Sequence, residues 1–116
     1  MSDTIHREFL GDSIRDFRLT PPMIIELERI CHGGIGGIVR RVFARDFTFA
    51  EVTETIRLGL IGGGTDPEEA AALIAAHVTP RPLMIGFALA TAILQATMLG
   101  VEKVKPGAKS RKRNTA

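Results

Sequence analysis

The stretch Thr48-Phe49-Ala50-Glu51-Val52-Thr53-Glu54-Thr55-Ile56-Arg57-Leu58-Gly59-Leu60-Ile61-Gly62-Gly63-Gly64 carries both a start and a stop signal for a helix. Thr48 and Glu51 stand three apart as a capping box, in which the Thr hydroxyl accepts from the Glu51 amide and the Glu carboxylate reaches back to the Thr48 amide. Val52, Ile56 and Leu60 recur every four residues and predict the buried face of a helix running to Ile61. Gly62, Gly63 and Gly64 then end it, because a left-handed C-terminal cap costs least at glycine.

On the N-terminal side, residues 5–19 predict a hairpin around Gly11-Asp12-Ser13, with Phe17 and Leu19 alternating against Asp16 and Arg18 so that both apolar side chains share a face. Two strands are marginal alone in water, so this face must lie on the helices. Thr20-Pro21-Pro22 closes the strand and opens a first helix, with Thr20 available as a cap and proline tolerated in the first turn. Ile24, Leu27, Ile30 and Cys31 mark its inner face, and Gly33-Gly34 its end, with His32 near the negative pole of the dipole. A second helix presents Ile35, Ile38, Val39 and Val42 inward and turns Arg40, Arg41 and Arg45 outward.

On the C-terminal side, Asp66-Pro67-Glu68-Glu69 predicts a fourth helix by its Asp cap, its proline at the first position and its acids in the first turn, with Leu73, Ile74 and His77 inward. Pro80-Arg81-Pro82 breaks it. From Leu83 to Val101 the chain carries no charge for 19 residues, a length that also suits a membrane span. The Ala and Thr content, Gln95, and basic residues on both sides favour a buried central helix instead. The fold class predicted is α+β, mainly α: an N-terminal hairpin packed on about five helices, with residues 1–102 as one domain and 103–116 as a disordered basic tail.

The chain has 116 residues, 45% of them hydrophobic and 24% charged, which describes one globular core. The sequence pI is near 9.1. That basicity is local. All four lysines and two of the eleven arginines lie in the last 14 residues, so residues 1–102 hold nine arginines against all thirteen acids, a net charge of −4. A single cysteine and the lack of an apolar leader in the first 30 residues point to a reducing cytoplasm. With no Trp or Tyr, stacking platforms for single-stranded nucleic acid are scarce.

Catalytic, cofactor and metal sites find no support in the motifs. Gly33-Gly34-Ile35-Gly36-Gly37 and Gly62-Gly63-Gly64 are not followed by Lys-Ser or Lys-Thr and do not follow a strand, so helix-capping turns account for both better than a phosphate loop. Cys31 and His32 are adjacent on a helix, about 100° apart, and are poorly placed to act as a thiolate–imidazole pair. His6, His32 and His77 lie on three elements without metal-ligand spacing. The tail residues Lys103, Lys105, Lys109, Arg111, Lys112 and Arg113 are candidate electrostatic contacts to a polyanion or acidic partner; the plainer alternative is a solvated end that aids solubility.

The run Ile56-Arg57-Leu58-Gly59-Leu60-Ile61-Gly62-Gly63-Gly64 is more specific than any of these. With Glu26 and Glu28 on a preceding helix, a glycine-bounded arginine-rich helix, and Arg81-Pro82-Leu83 after an Ala-rich one, it resembles the small tail proteins of gene transfer agents and related tailed phages over about residues 13–101. The resemblance implies a non-enzymatic role in virion assembly, without cofactor or membrane. Members of that family are labelled both as tail tube components and as tail assembly chaperones, which cover the tape-measure protein while tube subunits polymerise around it. The helix-dominated pattern favours the chaperone over the β-rich tube subunit. Implied partners are the tape-measure and tail tube proteins, and the implied location is the cytoplasm of the producing cell, with association to the virion as a further possibility. The oligomeric state stays open. A nucleic-acid module acting through the tail is the rival outside this family.

Overall fold

The computed structural model describes residues 2–102. In chain order these form β1 (Ser2–Asp3), β2 (His6–Leu10), β3 (Ser13–Phe17), α1 (Pro21–Cys31), α2 (Ile35–Phe43), α3 (Phe49–Gly62), α4 (Pro67–His77), α5 (Leu83–Leu99) and β4 (Val101–Glu102). The hairpin and five helices are as expected.

The capping box at the start of α3 forms in both directions: Glu51 N donates to Thr48 Oγ1 at 3.1 Å, and Thr48 N to Glu51 Oε1 at 3.0 Å. Where the sequence pattern predicts one buried face, α3 is buried almost all round, because the other four helices and β3 all pack on it. Ile56, Leu58 and Leu60 are fully buried there beside Phe17, Leu27, Ile38, Ile93 and Leu94. Even its threonines are enclosed, and they remain satisfied by donating to the carbonyl one turn back, Thr53 to Phe49 at 3.1 Å and Thr55 to Glu51 at 2.6 Å.

In the hairpin, His6 pairs with Phe17, Glu8 with Arg15 and Leu10 with Ser13, turning Leu10 and Phe17 onto the helices. The alternate pairs, Arg7 with Asp16 and Phe9 with Ile14, face outward. Gly11 takes φ +76° in the two-residue turn, and a Cβ there would come within 3.2 Å of Leu73 and His77 on α4.

Several boundaries differ from the sequence expectation. His32 itself, at φ +54°, terminates α1 ahead of the glycines, and the Thr20 side chain makes no capping bond. Gly36 and Gly37 lie inside α2, so only half of the first glycine run serves as a junction. Glu28, reaching over from α1, accepts from Ile35 N at 2.8 Å and caps α2 from outside. Helix α5 stops at Leu99, where Gly100 at φ +79° turns the chain into β4, which pairs with β1. Such a two-residue ladder has too little sequence period to be read in advance.

The expected central burial of the last helix holds for one side only. Gly86, Leu89, Ala90, Ile93, Leu94 and Ala96 are buried, whereas Met84, Ile85, Met98 and Leu99 are half exposed or more. No helix among the described residues is long and apolar enough to cross a membrane. The tail Lys103–Ala116 lies outside the described residues, as do all six of its candidate contact residues.

Candidate functional site

The residues from Ile56 to Gly64 form a clasp between α3 and the exit from β3. Gly59 O accepts from Arg18 N at 2.8 Å. One turn on, the backbones approach so closely that a Cβ on Gly62 would sit 1.9 Å from Arg18 O, and one on Gly63 would sit 2.0 Å from Asp16 O. The sequence rationale for these two glycines is therefore corrected. Gly62 and Gly63 have no left-handed backbone; what they require is the missing side chain, and only Gly64, at φ +112°, is glycine by conformation. Arg57 holds Glu54 one turn away at 2.9 Å from its Nε, on the half-exposed side of α3. Apart from Arg57 and Gly64, the signature is an internal joint.

A second feature is absent from the sequence expectation. Arg41, assigned to the outer face of α2, turns toward α3 and donates through Nε and Nη2 to Glu51, with Nε 2.9 Å from Oε2. Glu51 is only 2% exposed. Hydrogen bonding to Glu51 holds the Arg41 guanidinium above its ordinary range. Arg45, just past the end of α2, is exposed as expected, with its guanidinium over the Phe87 ring at 5.7 Å, and that ring stacks on Phe47 at 5.3 Å. A Glu at N3 signals the capping box; nothing in the spacing signals that the same carboxylate has a second partner.

Cys31 sits half buried at the end of α1. Burial, then the negative charges of Glu51 and Glu54, push its thiol above the ordinary range. Its surroundings thus disfavour the nucleophilic thiolate. His6 shares a 2.8 Å hydrogen bond with Glu8, and His77 lies against Gly11. Among the described residues no three His, Cys, Asp or Glu side chains converge as a metal would need.

Of the surface depressions among the described residues, one cleft of about 250 Å³ lies where the hairpin turn meets the α4–α5 junction. Leu10, Val78 and Leu89 give it an apolar floor, and exposed Phe9 and Ile85 stand at its edge. Glu8, His77 and Arg81 supply its polar groups. Gly86 shapes it from below: a Cβ there would come within 3.3 Å of Val52 and Val78, so glycine lets α5 settle on α3. Leu83, Met84 and Ile14 are further exposed apolar side chains, Ile14 as the cross-strand partner of Phe9.

Comparison with known families adds the decisive observation: residues 5–100 match the family described as phage tail tube protein, GTA-gp10. The chain belongs to that family. No curated protein and no solved structure matches it. Within the phage tail tube protein, GTA-gp10 family match fall the clasp, the Arg41–Glu51 contact and the apolar cleft; the basic residues from Lys103 onward fall outside it. Membership places the chain among phage and gene-transfer-agent tail proteins.

Proposed function

We propose that this chain is a non-enzymatic tail assembly chaperone whose 1–102 domain shields the tape-measure protein while tube subunits assemble around it. The observation that carries the proposal is the open apolar cleft with Phe9 and Ile85 exposed at its edge, in a chain of a phage tail family. A tape-measure chain is long, helical and apolar, and a small protein with an apolar docking surface covers such a helix reversibly. Tail proteins are the partners in this scheme, and the producing cell's cytoplasm is where they meet.

Co-expression with the tape-measure protein of the same phage or gene transfer agent tests the proposal. A soluble complex that co-elutes on gel filtration, and that Phe9→Glu abolishes, is the expected result. Unchanged solubility of the tape-measure protein with no complex would sink it.

The family description itself favours a second reading, a structural component of the tail tube. Against it stands the strand content, since the described residues offer two separate two-stranded ladders and no larger sheet from which to tile a β-rich tube. Stoichiometric retention of the chain in purified, completed tails would decide for the tube component.

A further inference from the structure

We infer that α5 pairs with α5 of a second copy of this chain, antiparallel, about a two-fold axis passing between Thr91 and Ala92. The inference starts from the outer surface of the helix. At 100° per residue, its exposed positions from Met84 onward fill one unbroken arc of about 140°; most buried positions lie on the opposite side, and exposed Leu83, in the first turn, stands outside the arc. No residue from Leu83 to Leu99 is charged, so neither desolvation of a charge nor like-charge repulsion opposes contact along this arc.

The arc is also a palindrome. Counting outward from the helix midpoint, partly buried Thr91 mirrors partly buried Ala92, and exposed Ala88 mirrors exposed Gln95. At the ends, Ile85 mirrors Met98 and Met84 mirrors Leu99, and these four are the large apolar exposed side chains of the set. In a two-fold contact every residue i facing j′ is matched by j facing i′, so the patch has to be complementary to itself. In the antiparallel pair, large apolar groups meet large apolar groups at both ends, the long Gln95 meets the short Ala88, and small residues at the centre let the helices approach closely.

Arg81, just ahead of α5, favours the antiparallel direction, since a parallel pair would set it against its own copy. Four large side chains at roughly 100 Å² each and four smaller ones at about half that give on the order of 600 Å² per copy, the lower edge of stable interfaces. An interface of this size suits a reversible dimer.

Sedimentation equilibrium of the full chain across a micromolar concentration series tests the pairing without any other tail protein; Ile85 belongs both to this seam and to the cleft edge, and the measurement reads self-association apart from tape-measure binding. A monomer–dimer equilibrium is expected, weakened by about tenfold or more in Ala88→Arg, with the far-UV circular dichroism unchanged. In a Cys31→Ser background, Ala92→Cys should oxidise to a disulfide-linked dimer by itself. Met84→Cys should not, but should cross-link when mixed with Leu99→Cys. A chain monomeric throughout, an Ala88→Arg variant that dimerises as well as the parent, or self-cross-linking of Met84→Cys alone would each overturn the inference. So would a monomeric chain whose Ala88→Arg variant loses capture of the tape-measure protein, since the α5 face would then be that partner's seat.

Discussion

The guanidinium of Arg41 on α2 grips the buried carboxylate of Glu51 on α3, its Nε 2.9 Å from Oε2, while Oε1 of the same carboxylate caps its own helix through Thr48 N at 3.0 Å. One side chain thus fixes where α3 begins and where α2 lies against it. Glu51→Ala should therefore cost about 2–4 kcal/mol, since it leaves an uncapped amide and an unpaired arginine around a buried void. Glu51→Gln keeps an acceptor for Thr48 N and should cost less than half as much. Urea unfolding midpoints at equal m values measure both.

Glycine-to-alanine changes in the signature should split by cause. Gly62→Ala and Gly63→Ala each place a methyl against a backbone carbonyl that belongs to another element, and should cost about 3 kcal/mol or leave the chain unfolded. Gly64→Ala has open space but a left-handed backbone, and should cost about 1–2 kcal/mol. Gly36→Ala, inside α2 with nothing within 4 Å, should stabilise by about 0.5–1 kcal/mol. Thermal unfolding of the four variants in parallel gives the order. A uniform effect across them would contradict the clasp.

Cys31 should react with a chromogenic disulfide reagent near pH 8 more slowly in the folded chain than after denaturation, because burial and the acids around it oppose ionisation. The linkage has a definite sign. A thiol whose folded-state pKa lies above its unfolded value contributes its full stability below the unfolded pKa, and loses it as pH rises through the folded one. Stability should fall at alkaline pH, and Cys31→Ser should remove part of that fall. Urea titrations on either side of the ordinary thiol range provide the measurement.

Residues 1–102 carry a net −4, and DNA is a polyanion. Any retention of the full chain on a DNA column should therefore depend on Lys103, Lys105, Lys109, Arg111, Lys112 and Arg113, weaken steeply with salt, and disappear when residues 103–116 are deleted. Retention that survived the deletion would place a nucleic-acid surface on the body instead.

The sequence was most legible where a single local rule decided the structure. Thr48 with Glu51, and Asp66 before Pro67, set two helix starts correctly because capping chemistry acts within one turn. It misled where a residue answered to a distant partner. Arg41 reads as a solvent-facing base because periodicity knows only its own helix, yet it closes on a carboxylate ten residues away. Gly62 and Gly63 read as cap residues because a glycine run after a helix resembles one; their actual constraint is the backbone of β3, more than forty residues earlier in the chain. The apolar cleft was equally unreadable, since Phe9, Val78 and Ile85 meet only after the hairpin has settled on the α4–α5 junction.

The short ladder joining Ser2–Asp3 to Val101–Glu102 has a consequence for engineering. It brings the two ends of the described fold side by side, so a brief linker could join them and the chain could be reopened at the exposed junction before α2 without crossing the core. In such a circular permutant the segment from Lys103 onward could be carried into the joining linker or omitted altogether. Order along the chain and architecture in space would become separately adjustable, a useful property when the domain is fused to another chain.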